Sequence, residues 1–184
     1  LPFHRFRTKE GKGVDSLLSP EMKSTGEVMG IDSSFGTAFA KSQTASYGSL
    51  PTSGKVFVSV ANRDKRAMIF PIKRLADLGF EVLATSSTAE VLRRNGIVHT
   101  QAIGDVVGEI VGGKFSFVVS TSDDRSPAGA ADRAIRAAAS AHQVHSITTI
   151  RGLGAVVQAL EASVATDDAP ELIPLQEAHR SLRA

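Results

Sequence analysis

The side chains of this sequence that could do chemistry are mostly hydroxyls, and they gather in three short runs. Ser59 precedes Ala61-Asn62-Arg63 and Asp64-Lys65; Thr85-Ser86-Ser87-Thr88 forms the second run; Ser120-Thr121-Ser122, followed by Asp123-Asp124-Arg125, forms the third. Hydroxyls placed where helices begin, beside backbone N–H groups that lack intrahelical acceptors, make an anion site, and phosphate suits it. Lys65 can supply the cation. The same Ser and Thr residues are also ordinary helix N-caps, and any one of them alone reads that way. Three such runs at one sheet edge point, as a group, to a ligand.

Other chemistry is thin. The histidines are His4, His99, His142, His145 and His179, and none stands at i, i+4 or with a carboxylate at metal-ligand spacing. His142 and His145 are three apart but straddle a helix end and a strand start, so no metal site is assigned. There is no cysteine, which excludes disulfides, thiolate zinc sites and cysteine nucleophiles and suits a reducing compartment. The sequence holds no GxGxxG, GxxxxGK[ST] or GxSxG. Gly104, Gly108, Gly112 and Gly113 read as turn and cap glycines, and Arg133 and Arg136 as the solvated face of an Ala-rich helix. No catalytic residue is assigned.

The elements that must position the hydroxyl runs alternate. Lys55–Val60 reads as a strand, Asp64–Leu78 as a helix that starts late or kinks at Pro71, and Phe80–Ala84 as a second strand. Thr88–Asn95 is a helix closed by Gly96, Ile97–Ile103 a third strand, Asp105–Val111 a brief helix and Lys114–Ser120 a fourth strand. Ala128–His142 is a helix, Gln143–Ile147 a fifth strand, and Gly152–Ala165 and Leu175–Leu182 are helical. This order predicts an α/β fold, a parallel five-stranded sheet of Rossmann type with helices on both faces. Right-handed crossovers then gather the strand C-termini, and the hydroxyl runs after them, on one edge. Ahead of it lie an irregular stretch over 1–30, a helix over Ser33–Ala45 and a small-residue linker, Ser46–Gly54. The predicted domains are 1–53 and 54–184.

Composition agrees. With 42% apolar and 22% charged residues and a net charge of +2, the chain is not an intrinsically disordered polyelectrolyte. The balance gives no reason to expect nucleic-acid binding, and no apolar run approaches the roughly 20 residues that span a bilayer. Leu1-Pro2-Phe3-His4-Arg5 is not a signal peptide and lacks an initiator Met, so the chain is expected to come from something longer.

The run Ser19-Pro20-Glu21-Met22-Lys23-Ser24-Thr25-Gly26-Glu27-Val28-Met29-Gly30 resembles the GPEM(K/R)STGEVMG signature of the carbamoyl-phosphate synthase large chain, where it closes the second ATP-grasp half. Leu1-Pro2-Phe3, Gly13-Val14-Asp15 and Phe35-Gly36-Thr37-Ala38-Phe39-Ala40-Lys41-Ser42-Gln43 are similar to that family's flanking segments. The α/β part then resembles its C-terminal, methylglyoxal-synthase-like regulatory domain, through Ser59-Val60, Asp64-Lys65, Leu78-Gly79-Phe80, Ala84-Thr85, Thr88-Ala89, Ile147-Thr148-Thr149 and Leu175-Gln176-Glu177. The resemblance assigns 1–53 to the tail of the ATP-grasp region, helix and linker, and 54–184 to the regulatory domain.

What this implies is specific. The parent makes carbamoyl phosphate from bicarbonate, ammonia and two ATP, with Mg or Mn, for pyrimidine and arginine synthesis in the cytoplasm, and a small glutaminase chain supplies the ammonia. This module carries no cofactor of its own. Its implied partners are the rest of the large chain, the small chain, uridylate or inosinate as nucleotide effectors, and ornithine; neither nucleic acid nor membrane is implied. Effector phosphate falls to Lys65, Thr85 and Thr88 with Ser87 beside them, the nucleoside side to Ser59, Ser120, Thr121 and Ser122, and the ornithine vicinity to Thr148. Two departures stand out. The family's basic loop after the third strand shortens here to Ile103-Gly104-Asp105, and its NTxxG after the fourth strand reads Ser120-Thr121-Ser122-Asp123-Asp124. One lost cation and two added anions each oppose a phosphate by about 1 kcal/mol per partly exposed charge. A free-standing methylglyoxal synthase would need a carboxylate base in a GPLGGD stretch, where this chain has Asp105 and Glu109 in Gly104–Gly113. An effector-less interdomain module is the remaining alternative.

Overall fold

The computed structural model describes residues 10–12, 28–101, 104–121, 129–166, 173–174, 176–177 and 180. Helix α1 is Phe35–Tyr47; strand β1, Lys55–Val60, leads through a 3-10 turn at Asn62–Asp64 into α2, Lys65–Asp77. Then come β2 (Glu81–Ala84), α3 (Ser86–Arg94), β3 (Thr100–Gln101), α4 (Val106–Val111), β4 (Phe117–Thr121), α5 (Gly129–Ala141), β5 (His145–Ile147) and α6 (Ile150–Thr166). The chain divides into two compact units, one holding Pro51–Gly154 and the other joining Gly26–Leu50 to Ala155–Ala184.

In the first unit the five strands are parallel in the order β3-β2-β1-β4-β5. The central strands are apolar because both faces are covered: β1 is buried from Val56 to Val60 and β4 along its whole length. On one face Phe57 and Val118 pack with Ile110 of α4 and Ile135 and Ala139 of α5. Met68, Ile72 and Leu75 of α2 and Leu92 of α3 are fully buried, and both helices lie against β2. Chain direction reverses its crossover sense between β1 and β4, so the topological switch point lies between these two strand ends.

Three expectations change. Pro71 sits in the middle of a continuous α2; it cannot donate to the Ala67 carbonyl, but the buried stripe of Met68, Ile72 and Leu75 holds the helix through it. Among the described residues the third strand is Thr100–Gln101 where Ile97–Ile103 was expected, residues 102–103 lying outside them; it starts late because Ile97 is spent closing α3: its N–H reaches the Leu92 carbonyl at 3.0 Å, with Gly96 at φ +66° making the left-handed turn. Helix α3 begins at Ser86, two residues early, with Thr85 as the cap position. The segment Leu175–Leu182 falls mostly outside the described residues, as does most of Ser19–Gly30.

In the second unit Ser34 caps α1, accepting the Thr37 N–H at 3.2 Å. Asp32 pairs with Lys41 at 2.9 Å, and the same ammonium donates to the Ile31 carbonyl at 3.3 Å. These bonds strap residues 31–32 onto the helix, and they hold the Asp32 carboxyl below its ordinary value of 3.8. A side chain at Gly36 would meet the Gln158 carbonyl and the Ala162 methyl of α6, so this glycine lets the two helix backbones approach closely. No described helix is long and apolar enough to cross a membrane.

Candidate functional site

Two helices start at neighbouring strand ends. After β1 the Asp64 N–H bonds the Ala61 carbonyl at 2.9 Å and α2 begins at Lys65; after β2, α3 begins directly behind Thr85. Lys65 is half-buried and makes no ion pair with a described residue. At α3 no side chain caps the helix; the N–H groups of Thr88 and Ala89 bond the Thr85 carbonyl at 2.9 and 2.7 Å. Those of Ser86 and Ser87, ahead of them, have no acceptor within the helix. Ser87 is exposed and Thr85 half-buried. Lys65, Ser87 and these N–H groups form the open, electropositive part of the edge, between β1 and β2.

The remaining hydroxyls are committed inside the protein. Thr88 is fully buried; its Oγ1 accepts the Val60 N–H at 3.3 Å and meets the Thr85 hydroxyl at 3.1 Å, which ties α3 to the end of β1. Thr121 is buried, and both its carbonyl and its Oγ1 accept the Ala61 N–H at 3.1 Å, so β1 and β4 stay joined past their last paired residues. Ser59 donates to Asp132 Oδ1 at 2.9 Å, and Ser120 accepts from Arg136 Nη1 at 3.3 Å. Ser122 lies outside the described residues. Thr148 is half-buried before α6, where its neighbour Thr149 does the capping, accepting the Gly152 N–H at 3.0 Å.

Arg136 is a correction. Expected on a solvated face, it is among the largest fully buried side chains, whereas Arg133 is exposed as expected. Asp132, which sequence reasoning passed over, is also buried. The signal was present: Asp132, Ile135, Arg136 and Ala139 fall on one helical stripe, the stripe that packs on the sheet. Buried charges need partners, and this pair finds two of them in hydroxyls on the strands.

Two further described carboxylates have structural duties, while Asp123 and Asp124 lie outside the described residues. Asp105 caps α4, accepting the Gly108 N–H at 2.9 Å, and Gly108, a helical residue and not a turn, gives that carboxylate room a side chain would take. Glu109 pairs with Lys114 at 3.3 Å. Only Ala102–Asp105 connect β3 to α4, with no basic residue among them. Among the described residues no group of three or more His, Cys, Asp or Glu could hold a metal ion.

The chain has relatives among known proteins. Residues 67–148 match the MGS-like domain family. The chain is 53% identical, over 99% of its length, to the carbamoyl phosphate synthase large chain of Mycobacterium sp. (strain JLS), and 53% identical over 98% to that of Mycobacterium tuberculosis (strain ATCC 25618 / H37Rv). With the carbamoyl phosphate synthase large chain of Kineococcus radiotolerans the identity is 58% over 89%. The chain spans only 16–17% of the length of these relatives.

Proposed function

We propose, for a chain that carries an MGS-like domain and is homologous along nearly its whole length to part of the carbamoyl phosphate synthase large chain, that it serves such a synthase as its regulatory end. On this reading the chain does no synthetase chemistry itself. It binds a phosphate-bearing effector, uridylate or inosinate being the candidates, at the sheet edge between β1 and β2, and responds to ornithine near Thr148. The observation that carries the reading is that α2, beginning at Lys65, and α3, beginning at Ser86, both start at the ends of the neighbouring parallel strands β1 and β2, which sets a lysine, Ser87 and the unpaired first-turn N–H groups of α3 on one edge. The rest of the large chain and a glutaminase chain are its proposed partners, in the cytoplasm.

Binding is weak on this reading. The connection from β3 to α4 supplies no second cation, and the 194 positions aligned with the mycobacterial relative exceed the 184 residues of this chain, so that relative has residues this chain lacks. Dissociation constants of roughly 0.1–1 mM are expected, about 4–5.5 kcal/mol of binding free energy. The test is calorimetric titration with uridylate, inosinate and ornithine. Lys65→Ala should remove most of the nucleotide binding, and submicromolar affinity indifferent to Lys65 would put the ligand elsewhere. A second reading, an interdomain module without effector, is favoured by the internal commitment of Ser59, Thr88, Ser120 and Thr121, and it predicts no heat with any of the three.

A further inference from the structure

Helix α2 packs inward through Met68, Pro71, Ile72 and Leu75, which are buried, and turns Arg66, Phe70, Lys73 and Asp77 to the outside. Phe70 is 71% exposed, more than any other described aromatic ring. A single apolar side chain in water means little, and its setting is what counts. The four outward residues follow one another at intervals of four, three and four, the spacing of a coiled-coil seam. Asp77 is bonded by the Lys73 ammonium one turn before it at 3.0 Å, which lays the lysine's aliphatic stem along the seam. The seam therefore reads cation, aromatic ring, aliphatic stem, carboxylate.

A second copy of the same helix, laid antiparallel, presents that order reversed. In this register Arg66 of one copy faces Asp77 of the other, and Phe70 of one lies on the Lys73 stem of the other, each contact made twice by the twofold axis. A parallel arrangement would instead set Arg66 on Arg66 and Asp77 on Asp77. Ala67 and Ala76 flank the seam and are small enough to let two helices approach. From this self-complementarity we infer that the outer face of α2 pairs with the α2 of a second copy of this chain, in an antiparallel twofold dimer. Thirteen residues make a contact about 20 Å long, which buries less than the roughly 1,200 Å² of a stable interface. The pairing is accordingly weak, with a dissociation constant of roughly 0.1–1 mM. It does not depend on what binds at Lys65.

The test is sedimentation equilibrium of the full 184-residue chain up to about 1 mM, beside its Phe70→Ser, Arg66→Asp and Asp77→Arg variants. The parent should dimerise within that range. Each variant should weaken the dimer by about tenfold or more, since Phe70→Ser removes the ring and each charge reversal sets like charges face to face. Melting temperatures should stay near the parent's, because all three side chains face outward and each new charge suits its end of the helix dipole. An equimolar mixture of Arg66→Asp and Asp77→Arg chains regains both cross pairs, so the mixed dimer should form within about threefold of the parental affinity. A parent that stays monomeric overturns the pairing and leaves the stripe to a different protein surface. A dimer indifferent to Phe70→Ser, or a mixture that associates no better than either variant alone, puts the contact on another face and overturns it as well.

Discussion

Gly36→Ala sets two opposed effects against each other, and the structure decides between them. In a helix interior the change ordinarily stabilises by about 0.5–1 kcal/mol, because alanine has less backbone freedom to lose, and by no more than that in the first turn, where Gly36 stands. At Gly36 the added methyl would stand 2.9 Å from the Ala162 Cβ and closer still to the Gln158 carbonyl, a backbone atom that cannot swing aside. Moving α6 to make room disturbs a packed contact, which costs about 1–3 kcal/mol. The clash therefore wins, and a net loss of about 0.5–2 kcal/mol is expected. Gly154 supplies the control: it lies inside α6 with nothing within 4 Å of where a Cβ would be, so Gly154→Ala should stabilise by about 0.5–1 kcal/mol. Urea denaturation of both variants, read at unchanged m, makes the measurement. Stabilisation by Gly36→Ala would refute the close approach of α1 and α6.

Thr88→Val keeps the shape but leaves the Val60 N–H without its acceptor; since that bond is long at 3.3 Å, the loss should fall near the low end, about 1–2 kcal/mol by urea denaturation. Thr85→Val should cost less in the Thr88→Val background than in the parent, by about 0.5–1 kcal/mol in a double-mutant cycle, because its hydroxyl partner is already gone. Asp32, whose carboxyl is depressed by Lys41, contributes stability that is fully present above the unfolded value near pH 3.8 and is lost as pH falls through the lower folded value; the melting temperatures of the parent and Asp32→Asn should therefore converge below about pH 4. Whatever phosphate ester binds at Lys65 should bind more weakly at 0.5 M salt than at about 0.1 M, measured by the same calorimetry, because a half-exposed cation is screened.

Strand order and helix order were legible in the sequence because buried parallel strands such as Lys55–Val60 are short β-branched runs with turn signals on both sides. The third strand was not: Ile97–Ile103 has the composition of a strand, but whether its backbone pairs with β2 or closes α3 depends on the turn at Gly96, which apolar pattern does not encode. The site divides in the same way. That hydroxyls would gather on one edge followed from crossover handedness, and Lys65, Ser87 and Thr85 stand there. Whether a hydroxyl faces outward or inward depends on what lies across the sheet. Ser59 and Ser120 look inward because Asp132 and Arg136 sit opposite, some seventy and sixteen positions away in sequence, and no local signal carries that.

The second unit joins Gly26–Leu50 to Ala155–Ala184, two stretches separated by the entire sheet. During synthesis α1 leaves the ribosome well before Gln158 and Ala162, the α6 residues that it packs on. Its thirteen residues are too few to persist as a helix alone in water. The sheet can assemble meanwhile, since its strands and their crossovers lie between the two ends. Docking α1 on α6 then closes a long loop, so α1 settles late although it is made before the sheet.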